Sequence, residues 1–255
     1  METSILNDDH AEAVSLPQKK NYRQRAHSNP MSDHILDFPA SPDAFDTRSL
    51  YAKFFNTHNA ESKIEMLDVG CGYGGLLIAL SPLYPNSLIL GMEIRCKVSD
   101  YVKQRIAALQ SQKELFQNIA CVRTNAMKVI PHYFRKGQLK RMFFLFPDPH
   151  FKKSKHKWRI ISRHLLAEYA YVLAVGGVIY LATDVSEYMD WARTLFNEHP
   201  LFTSICEDQL MSDPLREIIL SSTEEGQKVT RNKGQKFLAA FQRIEDPYCS
   251  EPSNK

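Results

Sequence analysis

The run Asp68-Val69-Gly70-Cys71-Gly72-Tyr73-Gly74-Gly75 decides the fold. It follows an apolar segment that begins at Ile64 and leads into Leu76-Leu77-Ile78, so it reads as the end of a strand, a glycine turn and the start of a helix. In a parallel sheet such a turn lies at the carboxyl end of a strand, where glycines let backbone come against a ligand that a Cβ would strike.

Outward from this run, short apolar segments alternate with longer amphipathic ones, the signature of βα units. Strands are expected near Ile64–Val69, Ser87–Met92, Asn118–Val122, Arg141–Phe146, Val178–Thr183, Leu201–Ile205 and Lys236–Arg243. The clearest helices are Leu76–Leu80, Lys97–Leu109, Arg159–Ala174 and Ser186–His199, the third closing on a left-handed cap at Gly176-Gly177. The expected fold is α/β, a doubly wound Rossmann-like sheet of seven strands in a single domain over 34–247. Residues 1–33 lack a sustained apolar period and read as a disordered basic tail, and 248–255 as a short C-terminal one.

Composition narrows the class. With 44% hydrophobic and 24% charged residues, the 255-residue chain can close one sizeable core. Its start, with Asp8, Asp9 and Glu12, has no basic and apolar leader, and its longest apolar stretch, Tyr169 to Ala182, is broken by glycines and too short for a bilayer. An intracellular protein without a membrane span is expected. The five cysteines show no C-x-x-C pair, so neither a disulfide framework nor a metal site is indicated.

Gly70, Gly72 and Gly75 also fit the G-x-G-x-x-G pattern, so the glycine run alone leaves a nicotinamide dinucleotide and S-adenosylmethionine open. Asp68 tips the balance: a carboxylate there repels a pyrophosphate but helps hold the cationic amino-acid end of S-adenosylmethionine. Glu93, in Gly91-Met92-Glu93-Ile94-Arg95, ends the second strand, where a carboxylate accepts the ribose hydroxyls of either cofactor. Asn125-Ala126 follows the third strand and offers an amide and a small residue to the adenine edge.

The net charge of +3 says little, but its distribution is uneven. Between Leu115 and Ala167 twelve Lys or Arg residues surround one carboxylate, Asp148, with His150, His156 and Trp158 interleaved. A single-signed stretch of this kind reads as a phosphate-binding surface. Lys128, Lys136, Lys152, Lys157 and Arg159 are its candidate RNA contacts, joined by Arg231 in the polar segment 227–236. Asp148 lies in Phe146-Pro147-Asp148-Pro149-His150, just past the fourth strand, and is expected to be an ionised acceptor among cations. Such a carboxylate suits the N1–H and N2–H donors of guanine, a pair that adenine lacks. Guanine N7 holds its lone pair in the ring plane and needs no general base, so positioning carries most of the catalysis.

Together these segments, with the tail Phe151-Lys152-Lys153-Ser154-Lys155-His156-Lys157-Trp158-Arg159, closely resemble the catalytic subunits of the eukaryotic tRNA (guanine-N7)-methyltransferase family. The resemblance runs from about Tyr22 to Pro247; its glycine motif is shared by many methyltransferases, whereas the Pro-Asp-Pro loop with its basic tail is specific. It implies methylation of guanosine 46 in the tRNA variable loop, with Asp148 at the active site. It also implies cofactor contacts from Gly70, Glu93, Arg95, Asn125, Ala126 and Leu145, and from Thr223 and Glu225, which the residues alone read as an exposed loop or a helix cap. A WD-repeat β-propeller subunit as non-catalytic partner, and a location in the nucleus with the cytoplasm second, come with it.

Two other readings compete. An amino methyltransferase acting on an exocyclic nitrogen uses an Asp/Asn-Pro-Pro-aromatic loop after the same strand, but here the order is Pro-Asp-Pro-His, without the aromatic that stacks a flipped base. A non-catalytic RNA-binding module is disfavoured by intact Asp68, Glu93 and Asp148. Finally, Arg23-Gln24-Arg25-Ala26-His27-Ser28 places two arginines ahead of a serine, a spacing basophilic kinases read, and makes Ser28 a candidate regulatory site.

Overall fold

A computed structural model describes residues 15–25, 29–30, 36–57, 61–112 and 115–248. Ser28, the candidate phosphorylation site, lies outside them. Seven strands form one sheet: β1 (Ile64–Val69), β2 (Leu88–Glu93), β3 (Ile119–Arg123), β4 (Leu139–Leu145), β5 (Leu173–Thr183), β6 (Phe202–Ser204) and β7 (Phe237–Arg243). The helices are α1 (Thr47–Leu50), α2 (Ala52–Phe55), α3 (Gly75–Leu80), α4 (Cys96–Gln112), α5 (Ala126–Tyr133), α6 (Arg163–Val172), α7 (Ser186–Glu198), α8 (Glu207–Met211), α9 (Arg216–Ser221) and α10 (Glu224–Arg231). The strand order is β3-β2-β1-β4-β5-β7-β6, parallel except where β7 runs against β5 and β6. The expected doubly wound, seven-stranded Rossmann-like sheet is what the chain forms.

The strand pleat sorts side chains to two apolar layers. Leu67, Val69, Leu90, Met92, Met142, Phe144, Ile179 and Leu181 face a core closed by α5, α6 and α7. Met66, Ile89, Phe143, Leu145, Tyr180 and Ala182 face the opposite core, closed by α3, α4, α8 and α9. Chain order reverses between β1 and β4, and the crevice at their carboxyl ends is where such folds take ligands. No helix among the described residues is long and apolar enough to cross a membrane.

Three expectations are corrected. The third helix ends at Val172, not at Gly176-Gly177, because the chain turns directly into β5. Gly176 is left-handed (φ 81°), but it serves a bulge: Leu139 pairs with Leu173 and Arg141 with Val178, leaving 174–177 opposite Lys140 alone. The same helix starts at Arg163, capped by the Ser162 hydroxyl, so residues 153–158 form a separate 3-10 turn. The third correction concerns the expected tail, part of which is docked: a 3-10 turn at Lys19–Tyr22 packs Tyr22 edge-on against Tyr101 of α4, while Lys19 pairs with Glu224 of α10 and lies over the Tyr73 ring. Aromatic contact and charge pairing offset the low apolar content that argued for disorder.

Gly75 explains how the glycine turn closes on the far end of the chain. A Cβ there would meet the Ser222 carbonyl oxygen at 2.0 Å, so the turn between α9 and α10 rests directly on the first residue of α3. Gly75→Ala is expected to cost about 1–3 kcal/mol through this overlap, read as a lower urea midpoint; an unchanged midpoint would mean the two turns are not in contact.

Candidate active site

The glycine turn owes its shape to backbone that only glycine adopts freely: Gly70, Gly72 and Gly74 have φ of 73°, 53° and 75°. At Gly70 a Cβ would point into open space, so that residue leaves a cradle rather than filling a packed contact. Gly72 N–H donates to Glu93 Oε2 at 3.1 Å. Arg95 completes the set, its backbone N–H and Nε donating to Glu93 Oε1 at 2.9 and 3.0 Å and its Nη2 to Oε2 at 3.0 Å. The buried Glu93 carboxylate thus uses all of its roughly four acceptor positions, and a ribose diol would have to take over those that Arg95 fills.

A cleft of about 210 Å³ opens above this turn, bounded by Gly70, Glu93, Arg95, Asn125, Ala126, Leu145 and Asp148. Seven of the predicted residues are therefore brought to one wall. Met92, Ile94 and Met127 give it an apolar floor. Asn125 caps α5, accepting from Met127 N–H at 3.1 Å, and donates to the Pro30 carbonyl at 2.5 Å, which draws the N-terminal segment to the rim. Asp68 does not line the cleft. Its side chain lies on the α3 side of the sheet, 2% exposed, with Oδ2 buried and without a hydrogen-bond partner among the described residues. Burial, with the carboxylates of Glu93 and Glu224 adding to it, pushes its carboxyl up to about 8. An orphaned buried acid under a glycine cradle fits a ligand that brings a cation.

Asp148 follows β4 in a loop with two strained ends. Phe146 (φ 52°) and His150 (φ 44°) both occupy the left-handed region that side chains disfavour. Asp148 Oδ1 accepts from the His150 backbone N–H at 3.1 Å, and the imidazole Nδ1 is 3.8 Å from Oδ2. A second cleft, of about 490 Å³, begins here and is lined by Arg25, Phe151, Lys152, Lys155 and Trp158. Asp148, His150 and Trp158 border both clefts. A largely apolar cleft and a basic one therefore meet at a carboxylate.

The other predicted contacts scatter. Lys128, Lys152 and Lys157 are exposed on the Asp148 side, and Arg231 is exposed at the end of α10. Lys136 is exposed too, but it precedes β4 and so lies at the opposite strand end, roughly 20 Å of strand from Asp148. Arg159 is a correction: its side chain is fully buried and ion-paired with Glu187, out of reach of any phosphate. Thr223 caps α10 by accepting from Gly226 N–H at 3.0 Å, the bland reading of that segment. Glu225 is turned to solvent and paired with Lys228, whereas its neighbour Glu224 faces Asp68 and, at 4.0 Å, Arg105. Sequence reasoning missed Glu224. Its signal, an acid in the opening turn of a capped helix, was present but ambiguous between adjacent residues.

Comparison with known proteins finds relatives over most of the chain. Residues 62–239 match the methyltransferase family model described as "Putative methyltransferase". A Bombyx mori tRNA (guanine-N(7)-)-methyltransferase is 59% identical over 234 residues, covering 91% of this chain and 98% of that protein. Proteins of the same name from Xenopus laevis and Homo sapiens are 54% and 56% identical, covering 96% and 91% of this chain and 96% and 90% of theirs. Among solved structures, an antibiotic-related methyltransferase shares the fold at a TM-score of 0.51 and 12% identity, over 78% of this chain and 94% of that one.

Proposed function

The chain belongs to the tRNA (guanine-N7)-methyltransferase family, and from that premise we propose that it transfers a methyl group from S-adenosylmethionine to N7 of guanosine 46 in the tRNA variable loop. The observation that carries the reading is Asp148 at the meeting of the two clefts. S-adenosylmethionine supplies an electrophilic methyl group, and the chain's residues bind and aim it. Glu93 takes ribose hydroxyls as the Arg95 fork yields, Asn125 and Ala126 meet the adenine edge, and Asp68, buried beneath the glycine turn and outside the cleft lining, supplies a countercharge for the ammonium. On the other side, guanine N1–H and N2–H donate to Asp148, which fixes the direction of the base and of N7 on its opposite edge for attack on the methyl group, without any proton transfer by the protein. The positive charge that develops on the base is stabilised by the same carboxylate. A propeller-type partner that helps hold tRNA, and a nuclear location, go with this reading through the family resemblance.

Incubation with tRNA and methyl-labelled S-adenosylmethionine, followed by strand cleavage at 7-methylguanosine, tests the reading; label recovered in 6-methyladenosine would replace it with the exocyclic-amine reading. The basic cleft adds a salt prediction. Lys152→Ala, Lys155→Ala and Lys157→Ala should each flatten the plot of log affinity against log salt by about one unit of slope, because each phosphate contact releases about one counterion. An unchanged slope in the triple variant would remove this surface from the interface.

A further inference from the structure

Arg159 was expected on the RNA surface, and its burial calls for another role. Its side chain has no exposure and is the largest fully buried one among the described residues. The guanidinium spans two parts of the fold: Nε donates to the Pro149 carbonyl at 2.8 Å and Nη2 to Glu187 Oε1 at 3.0 Å. It also lies over the rings of Tyr188 and Trp191, 5.3 and 4.9 Å from their centroids. Glu187, Tyr188 and Trp191 all stand on α7, and Pro149 adjoins Asp148.

Two more side chains fasten the same stretch. Trp191 Nε1 donates to the Ile161 carbonyl at 3.2 Å and Tyr169 Oη to that of Ile160 at 2.8 Å. The chain from Pro149 to Ile161 is thus held by its carbonyls to α6 and α7. Of these ties, Arg159 alone bears on the residue next to Asp148, between the left-handed Phe146 and His150. A strained loop keeps its shape only where its surroundings over-determine it, and a guanidinium fork fixes a direction that an ammonium cannot.

We propose that Arg159 is a positioning residue for methyl transfer: by tying the Pro149 carbonyl to α7 it sets where Asp148 presents its carboxylate to the base. This rests on the function proposed above. It acts through Asp148 and touches neither phosphate nor cofactor.

The test uses the full chain as Arg159→Met and Arg159→Lys, with Phe202→Leu in the edge strand as a variant that weakens the fold elsewhere. Single-turnover transfer at saturating tRNA should fall on the order of 10²-fold in Arg159→Met, the usual cost of a misplaced reacting group. Arg159→Lys should not restore it. Affinity for tRNA, its salt slope, and affinity for S-adenosylhomocysteine should stay near those of the native chain. Amide exchange over 146–158 should quicken in both Arg159 variants while the sheet stays protected, whereas Phe202→Leu with a similar drop in melting temperature should not quicken it. A lowered salt slope would make Arg159 a phosphate contact and overturn the proposal. So would transfer at the native rate, unchanged exchange in 146–158, or a loss no greater than that of Phe202→Leu. If the native chain forms no 7-methylguanosine, the proposed function fails, and the exchange readout still decides whether Arg159 holds the loop.

Discussion

Asp148→Ala is expected to lower methyl transfer to tRNA on the order of 10²- to 10³-fold, the usual effect of removing one preorganised electrostatic partner, while S-adenosylhomocysteine binds as before. The separation follows from the site: the carboxylate borders both clefts, yet the residues assigned to the cofactor's ribose and adenine lie on β2 and α5. Asp148→Asn keeps the size but presents an N–H₂ group to the N1–H or N2–H of guanine, so it should do no better than alanine. Inosine at the target position removes N2–H and supplies a second comparison. It should slow the native chain but make little further difference to Asp148→Ala, because the partner of N2–H is already gone. Native-rate transfer by Asp148→Ala at saturating tRNA would end the assignment, and equal penalties from inosine in both proteins would put the N2–H contact elsewhere.

The parts of this molecule legible in the sequence are those fixed by local chemistry. The glycine turn could be placed because left-handed backbone at Gly70, Gly72 and Gly74 requires that residue, and β1, β2 and β4 because buried parallel strands are continuous apolar runs. Asp148 stood out because it is the sole acid among twelve cations. What failed depended on distant partners. Charge pattern marks Arg159 as one more surface cation, yet Glu187, Tyr188 and Trp191 enclose it from a helix about thirty residues away. The pair Gly176-Gly177 is as good a helix cap as a strand bulge until β4 is seen to pair on both sides of it. Thr223 and Glu225 came from resemblance, and the turn that holds Thr223 is positioned by its rest against Gly75, a contact with no local signal.

Asp68→Asn is expected to stabilise the ligand-free chain and to flatten the pH dependence of cofactor binding. Burial, aided by Glu93 and Glu224, pushes the Asp68 carboxyl up to about 8, against about 3.9 in an unfolded chain. Between those values the folded state keeps a proton that the unfolded state has released, so stability falls as pH rises, by up to ~1.4 kcal/mol per unit. The contribution is whole below about pH 4 and gone once pH passes through about 8, a difference of at most roughly 6 kcal/mol. Asparagine has no such proton to lose. Its urea midpoint should match the native one near about pH 4 and exceed it increasingly toward about pH 8. Binding moves the other way. A ligand ammonium beside Asp68 favours the carboxylate, so at pH below about 8 the native chain should release a proton on taking S-adenosylhomocysteine and bind it more tightly as pH rises, by up to about tenfold per unit. Calorimetry in buffers of different ionisation enthalpy counts the proton directly. A native affinity that is flat over this range, or an asparagine variant that still releases a proton, would separate Asp68 from the cofactor's cationic end.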